Sequence, residues 1–249
     1  MKEIIKIVII IIAIVVILVL FMYCYIKTLT PNEFVTGAVN YFNVTVKIKN
    51  KDNLNKINQT KKVIIMANHI NGLDYGVLYN IIQSNKKIYA VAKHNVFGDK
   101  TDGSIVSNIL GLFKDSAYDF FNLIPYIRGN KDSGSKVKQK MLKVVNNGDI
   151  VILFPEGETS RSGIPISFKP GSFKLCADNN ISILPITIKY NKQIGVNRTD
   201  PINMKKWHNA VATAIVHPMV NNTNPDILRE QVFQAIRKPL ILNSYFHNS

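Results

Sequence analysis

Short, uninterrupted apolar runs that alternate with helical patterns constrain the fold of this 249-residue chain more than any other feature. Two of them, Lys62–Asn68 (KVIIMAN) and Ile150–Gly157 (IVILFPEG), place apolar residues at successive positions, which is typical of strands buried on both faces of a sheet. Between them, Ser133–Asp149 repeats apolar residues at helical spacing, opens with serines and closes at Gly148. Parallel strands need such crossovers. The sequence therefore predicts an α/β fold with a mainly parallel or mixed sheet.

The rest of the chain continues this alternation. Further strands are predicted at Phe42–Asn50, Lys87–Lys93, Ile181–Tyr190 and Ala212–Val220, and further helices at Leu73–Gln83 and Pro225–Lys238. In open α/β sheets the reactive groups gather at the carboxyl ends of the strands. The residues that follow each apolar run are therefore the candidate site.

The N-terminus is predicted to be a membrane anchor. Twenty residues without a charge, Ile7–Ile26, would extend about 30 Å as a helix, the thickness of a bilayer core. Lysines flank this run on both sides, and two tyrosines lie near its end, as in an interfacial belt. A cleaved signal peptide would have a shorter apolar region and a small-residue cleavage site. We expect residues 1–29 to form a single-pass or monotopic anchor and residues 30–249 to form one folded domain.

The net charge of +15 favours a polyanionic partner, which could be nucleic acid, an anionic membrane surface or an acidic substrate. The chain lacks a zinc-finger spacing and an aromatic-rich RNA-binding signature, so the predicted anchor favours the membrane and we expect no nucleic-acid partner. The two cysteines, Cys24 and Cys176, form no disulfide framework and are interpreted as small hydrophobic residues.

The segment VIIMANHINGLDYG ends a buried strand at His69 and places Asp74 five positions later. On one continuous helix this spacing is a rotation of about 140°, so the two side chains would meet only across a strand end, a turn and a helix start. With Asn71 as N-cap, Asp74 falls at the third helical position, where free N–H groups favour a carboxylate. Asp74 would then accept a hydrogen bond from one imidazole nitrogen and leave the other as a base. A capping aspartate beside an unrelated loop histidine is the alternative.

Three further segments end apolar runs with residues suited to a polar or anionic ligand. ILFPEGETSRSG places Glu156 and Gly157 after a strand, and Arg161 with its neighbouring serines could hold a phosphate. IPYIRGN ends a run at Arg128. Pro185 in ISILPITIKY removes a ladder donor, which implies a sheet edge, a bulge or a site wall. Exposed turns and a surface arginine are the alternatives.

Taken in order, the segments NHINGLD, IPYIRG, FPEG and LPI resemble the four sequence blocks of the glycerolipid acyltransferases, the 1-acylglycerol-3-phosphate acyltransferases and related lysophospholipid acyltransferases. The resemblance covers His69 to Tyr190 and includes the glycine-bearing FKPG segment between the last two blocks. It implies an αβα sandwich behind a hydrophobic N-terminus.

The resemblance also implies a chemistry. His69 would be the general base of an H-x4-D motif, and Asp74 would orient it. His69 would take a proton from the sn-2 hydroxyl of 1-acyl-sn-glycerol-3-phosphate, which attacks the thioester of acyl-CoA or of an acyl-carrier protein. Acyl-CoA would be a co-substrate, and neither a metal nor a cofactor is expected.

The remaining block residues are implied to bind substrate: Asn68, Arg128, Glu156, Gly157, Arg161 and Pro185. The sequence departs from the family pattern after FPEG, where Glu158, Thr159 and Ser160 precede the arginine, so the acceptor headgroup stays open.

Two other functions stay open. The first is the same chemistry on another lysophospholipid, and the second is a non-catalytic lipid- or protein-binding module on the same fold. The expected partners are membrane lipids, a lysophospholipid acceptor and an acyl donor. We expect the domain on the cytosolic side, where acyl-CoA is found, and interpret the four N-x-S/T sequons as unused.

Overall fold

A seven-stranded sheet organises the part of the chain that the computed structural model describes, which is residues 31–94, 118–160, 162–192 and 207–241 with the single positions Ile10, Ile14 and Ile17. The described elements, in chain order, are α1 (Pro31–Tyr41), β1 (Thr45–Lys49), α2 (Asp52–Gln59), β2 (Val63–Ala67), α3 (Leu73–Ile81), β3 (Ile88–Lys93), β4 (Leu123–Tyr126), α4 (Lys131–Asn146), β5 (Ile150–Leu153), α5 (Pro170–Asp178), β6 (Ser182–Tyr190), β7 (Val211–Val216) and α6 (Pro225–Ile241).

The strand order across the sheet is β1-β7-β6-β2-β5-β3-β4. All pairings are parallel except that of β6 with β7, which is antiparallel. Helices α3, α4 and α5 each connect two successive parallel strands and supply crossovers of the kind that this arrangement requires. The prediction of an α/β fold with a mainly parallel or mixed sheet is confirmed.

Two apolar clusters cover the two faces of the sheet. In β2, the side chains of Val63 and Ile65 belong to one cluster, while those of Ile64 and Met66 belong to the other. Helices α1, α2 and α3 contribute to the first cluster, and α4, α5 and α6 contribute to the second. Burying each such aliphatic side chain contributes about 1.5–3 kcal/mol. Helices on both faces make an αβα sandwich, which explains why the central strands read as continuous apolar runs.

Local polar contacts set the element boundaries that differ from the predicted ones. Helix α4 begins at Lys131, two residues before the predicted start, because the Asn130 side chain accepts a hydrogen bond from the Ser133 N–H at 2.9 Å. Strand β1 begins at Thr45, after Asn43 adopts a φ of 48° at the end of the turn that follows α1.

Pro185 lies inside the sheet, at an irregularity between β6 and the chain that follows β7. The regular pairing of these strands begins at Ile186 opposite Val216, and an isolated bridge joins Ile183 to Val220. One extra residue on the β7 side separates these two pairs, which is the pattern of a β-bulge. The Ile183 N–H donates to Val220. Residues two apart on a strand direct their backbone groups to the same neighbour, so Pro185 faces the bulged segment after β7 and has no N–H to donate there. Of the predicted alternatives, the bulge is found.

The predicted anchor, residues 1–29, lies outside the described residues except for Ile10, Ile14 and Ile17, which are helical and exposed. Among the helices that the structure describes, none is long and apolar enough to cross a bilayer. The membrane anchor therefore stays a prediction.

Candidate active site

The carboxyl ends of four parallel strands place the candidate residues along one edge of the sheet. His69 follows β2, Arg128 follows β4, Glu156 follows β5, and Tyr190 ends β6. Since β2 lies between β5 and β6, the segments after these three strands are neighbours. The sheet thus gathers residues that are far apart in the sequence, as expected for an open α/β sheet.

The predicted pairing of His69 with Asp74 is present. The imidazole Nδ1 lies 2.9 Å from Oδ2 of Asp74, whose side chain is fully buried. The same oxygen accepts hydrogen bonds from the N–H groups of Ile70 and Asn71, at 2.5 and 2.8 Å. The other oxygen, Oδ1, accepts from the Tyr190 hydroxyl at 2.8 Å. The two N–H groups and the Tyr190 hydroxyl donate to Asp74, and an ionised carboxylate has acceptor sites for these three donors and for the imidazole.

The turn between β2 and α3 differs from the predicted capping by one residue. Gly72, rather than Asn71, directly precedes the helix, which begins at Leu73. Asn71 still accepts from the Leu73 N–H through Oδ1 at 2.8 Å, while Asp74 accepts from the Asn71 N–H. This reciprocal arrangement resembles a capping box and brings the carboxylate back toward the histidine.

The His69 ring is held in one orientation by the groups around it. Its ring stacks on Phe154 with the centroids 4.1 Å apart and the planes 11° from parallel, and Tyr75 meets both rings edge-on. With Nδ1 directed at Asp74, Nε2 is the nitrogen that can take a proton. The side chain is 18% exposed, so a substrate can reach it from solvent.

The segment after β5 holds the backbone of His69 on both sides. Glu156 accepts from the His69 N–H through Oε1 at 2.8 Å, and the Ser160 N–H donates to the His69 carbonyl oxygen at 2.7 Å. Through Oε2, Glu156 also accepts from the Ile166 N–H at 2.9 Å. Glu156 is fully buried, and burial raises its pKa to about 7. Both carboxylate oxygens of Glu156 thus accept hydrogen bonds from backbone N–H groups. Contact between Glu156 and the acceptor substrate stays a prediction.

Arg128 and the turn after Glu156 come together across the edge of the sheet. The guanidinium donates through Nη2 to the Gly157 carbonyl oxygen at 2.6 Å, and its Nη1 lies 3.3 Å from Oε2 of Glu158. Gly157 has a φ of 71°, a conformation that L side chains rarely adopt, so the turn requires glycine. The Arg128 side chain is about half exposed and can reach an anionic ligand. Arg161 lies outside the described residues.

Asn68 and Pro185 lie in the sheet rather than in an open pocket. The Asn68 amide donates to the Ile188 carbonyl oxygen at 2.9 Å and accepts from the Ile188 N–H at 2.7 Å, so its side chain extends the pairing of β2 with β6. Pro185 is buried opposite Met66. Direct substrate contact by either residue stays a prediction.

Sequence reasoning missed Phe154 and Tyr190 as parts of this site, and it expected Ser160 beside a phosphate rather than on the His69 backbone. Phe154 belongs to the FPEG segment, but nothing in its spacing indicates a stack on His69. Tyr190 gave a weak signal, because a buried tyrosine at a strand end usually finds a hydrogen-bond partner. Which partner it finds depends on a neighbouring strand that is distant in the sequence.

A family model described as Acyltransferase matches residues 45–189, which is more than half of the chain. The chain belongs to this acyltransferase family. The matched range includes His69, Asp74, Arg128 and Glu156, and it ends one residue before Tyr190.

Curated relatives of this acyltransferase-family chain carry one activity in their names. It is 22% identical over 179 residues, 72% of its length, to a chloroplastic 1-acyl-sn-glycerol-3-phosphate acyltransferase of Arabidopsis thaliana. It is 32% identical over 135 residues, 54% of its length, to a 1-acyl-sn-glycerol-3-phosphate acyltransferase of Borreliella burgdorferi. The matches span 45% and 48% of those relatives, so the chain covers about half the length of each.

A solved structure shows the same fold. The chain superposes on the crystal structure of the 1-acyl-sn-glycerophosphate acyltransferase of Thermotoga maritima with a TM-score of 0.57 and 19% sequence identity. The match covers 86% of this chain and 78% of the other. It supports the α/β architecture of this chain.

Proposed function

We propose that the chain is a 1-acyl-sn-glycerol-3-phosphate O-acyltransferase, which moves an acyl chain from acyl-CoA to the sn-2 hydroxyl of its acceptor and gives phosphatidic acid. The observation that carries the proposal is the contact between His69 Nδ1 and the buried Asp74 carboxylate, which leaves Nε2 as the base of a partly exposed imidazole. The names of the relatives from Arabidopsis thaliana and Borreliella burgdorferi support the choice of reaction.

In the proposed reaction, His69 Nε2 takes the proton of the acceptor hydroxyl as its oxygen attacks the thioester carbonyl carbon. The resulting tetrahedral intermediate collapses, the carbon–sulfur bond breaks, and the imidazolium returns its proton to the thiolate. The products are the ester and free thiol, and His69 is regenerated. Asp74 orients the ring and stabilises the imidazolium, as in Ser-His-Asp enzymes.

Each step moves a proton or exchanges an acyl group. A positioned base and hydrogen-bond donors to the developing oxyanion suffice for such a transfer. We therefore propose that neither a metal nor a cofactor takes part, and that turnover persists in excess EDTA.

Arg128 is the proposed contact for the acceptor's phosphate. Its guanidinium lies beside Gly157 and Glu158 and is about half exposed, and a guanidinium can bind a phosphate through paired hydrogen bonds. Arg161 and Gly157 complete the proposed acceptor-binding region.

The ion pair between Arg128 and Glu158 favours a second candidate acceptor. A phosphate at Arg128 would lie beside a carboxylate only 3.3 Å from the guanidinium, whereas a zwitterionic headgroup could place its ammonium against that carboxylate. A lysophospholipid with an ethanolamine or choline headgroup is therefore the alternative substrate. The variant Glu158→Gln separates the two, because it should favour lysophosphatidate over the zwitterionic acceptors.

The acceptor is an amphiphile, so we propose that the chain works at a membrane surface. The net charge of +15 would favour anionic headgroups and the phosphates of coenzyme A. A single-pass or monotopic anchor at residues 1–29 and a cytosolic domain are part of this proposal.

Acyl transfer by the full chain in liposomes tests the function. Labelled oleoyl-CoA is offered with lysophosphatidate, lysophosphatidylethanolamine or lysophosphatidylcholine, and the product is identified by mass. We expect phosphatidic acid from the wild type and none above background from His69→Ala. The matched control is His208→Ala, which removes an exposed histidine that follows Trp207.

Product from a different acceptor would replace the proposed substrate and keep the chemistry. If acyl-CoA fails with each acceptor, the assay is repeated with an acyl-carrier-protein donor. Folded protein that transfers from neither donor would overturn the proposal in favour of a non-catalytic binding module.

A further inference from the structure

Asp74 has a second side-chain partner that the H-x4-D motif does not contain. The Tyr190 hydroxyl donates to Oδ1 of Asp74 at 2.8 Å, while His69 uses Oδ2. Tyr190 is buried, and desolvation together with the nearby Asp74 charge raises its pKa well above the ordinary value. The hydroxyl is therefore a proton donor to the carboxylate throughout the physiological pH range.

The sheet, rather than a loop, fixes this hydroxyl. Tyr190 pairs with Ala212 in β7, and two residues earlier Ile188 is bonded at both backbone atoms to the Asn68 amide. The end of β6 therefore holds the segment containing His69 at two points on one strand. Because β6 lies between β2 and β7, it cannot shift without breaking both pairings.

The two contacts of Asp74 act on the histidine in different ways. A donor on Oδ1 fixes the rotation of the carboxylate, so that Oδ2 stays directed at Nδ1 of His69. The same donor withdraws negative charge from the carboxylate and so weakens its hold on a protonated imidazole.

We propose that Tyr190 is a positioning residue for the base: through its hydrogen bond to Asp74 it orients the carboxylate toward His69 and limits how strongly His69 is protonated. Its effect on turnover rests on the proposed function. Its effect on the His69 titration does not.

The other polar groups around His69 make different contacts. From α3, the Tyr75 hydroxyl bonds to the Val91 carbonyl oxygen. From the segment after β5, Glu156 accepts from the N–H groups of His69 and Ile166, and its charge also acts on His69 and Asp74 in the wild type and in the tyrosine variants. Arg128 and Glu158 pair with each other at the same edge of the sheet. Among the side-chain contacts described for Asp74, Tyr190 supplies the one besides His69.

The test is the titration of His69 in the full chain in lipid nanodiscs. The five histidines are labelled with ¹⁵N, and the His69 resonance is assigned with His69→Ala. We compare the wild type with Tyr190→Phe, which removes one oxygen. The matched control is Tyr79→Phe, a buried tyrosine whose hydroxyl bonds to the Ile88 carbonyl oxygen at 3.3 Å.

Tyr190→Phe should move the midpoint of the His69 titration upward by about half a pH unit or more, because the carboxylate regains the charge that the phenol withdrew. The acid limb of the kcat/KM profile should move with it, and kcat should fall about tenfold with little change in KM for the acyl donor. Tyr79→Phe should leave the titration midpoint unchanged.

A second variant keeps the hydroxyl and should shift the His69 midpoint in the opposite direction. It also covers the case in which Tyr190→Phe fails to fold. Site-specific replacement of Tyr190 by 3-fluorotyrosine makes the phenol more acidic and a stronger donor, which should lower the His69 midpoint. The same replacement at Tyr79 should not change it.

An unchanged midpoint in the 3-fluorotyrosine protein, or an equal shift from the Tyr79 replacement, would overturn the proposal. So would a loss of activity from Tyr190→Phe that is equally large in an Asp74→Asn background, since a residue acting through Asp74 must show coupling to it. A wild-type protein without acyl transfer would overturn the proposed function, while the titration would still decide the role of Tyr190.

Discussion

At the scale of single residues, the site depends on where its hydrogen bonds go. Asp74 lies in a fully buried position and accepts from two backbone N–H groups, one imidazole and one phenol. A buried carboxylate is tolerated only when it is satisfied in this way. The contact with His69 engages Nδ1 and leaves Nε2 as the nitrogen that can exchange a proton with a substrate.

Asp74→Asn should lower kcat/KM for acyl transfer by about 10²- to 10⁴-fold, because the amide no longer selects the His69 tautomer or stabilises the imidazolium. The measurement is steady-state kinetics in liposomes, with the thermal transition recorded to show that the variant is folded. Asp226→Asn, at an exposed position on α6, is the control and should leave kcat/KM unchanged. A loss of less than tenfold from Asp74→Asn would contradict the assigned role.

Glu156 predicts a pH dependence of stability. Its folded-state pKa of about 7 lies above its ordinary value of 4.5, so the folded protein binds the proton more tightly than the unfolded chain. This contribution is fully present below about pH 4.5 and is lost as the pH rises to about 7, a change on the order of 3 kcal/mol in the free energy of unfolding.

Glu156→Gln removes this titration. The difference in unfolding free energy between wild type and variant should therefore change with pH over that window and be level above it, as measured by urea unfolding at a series of pH values. The exposed Glu230→Gln serves as control. A wild-type profile parallel to that of Glu156→Gln would show that the carboxyl is not perturbed.

At the scale of elements, a side chain takes the place of a backbone group in the strand pairing that supports the site. Beyond the last residue of β2, the Asn68 amide bonds to the N–H and carbonyl of Ile188 and continues the ladder to β6. Pro185, on the same strand, faces the bulge after β7, where a missing N–H costs least. These features belong to strand pairs that no local pattern specifies.

Asn68→Ala should reduce the free energy of unfolding by about 2–4 kcal/mol, because it leaves a buried N–H and a buried carbonyl of Ile188 without partners. Urea denaturation gives the value, and the control is Asn146→Ala, an exposed residue in the last turn of α4 that should change stability by less than about 0.5 kcal/mol. If Asn68→Ala keeps its stability but raises KM for the acceptor, the predicted substrate contact replaces the structural role.

At the scale of the whole molecule, charge and the hydrophobic N-terminus both favour a membrane surface. The chain has 31 basic and 16 acidic residues. Electrostatic attraction to an anionic bilayer is screened by salt, whereas burial of an apolar helix in the bilayer is not. Salt therefore separates the two contributions.

The full chain should sediment with liposomes even at about 1 M salt, where the Debye length is about 3 Å. A chain lacking residues 1–29 should bind anionic liposomes only at low salt and neutral liposomes not at all. Binding of the shortened chain at high salt would place the membrane contact in the folded domain instead.

The sequence by itself determined the α/β class, most of the strands and helices, and the pairing of His69 with Asp74. These follow from periodicity and from contacts within a few residues, which local chemistry specifies. The tertiary structure alone decided three contacts. Glu156 accepts from the His69 backbone N–H, the Asn68 side chain extends the strand pairing to Ile188, and the Tyr190 hydroxyl donates a hydrogen bond to Asp74. Each of these contacts joins segments separated by 87 to 120 residues. They exist because the strand order brings the ends of β5, β2 and β6 side by side, an order that the pattern within any one strand does not contain.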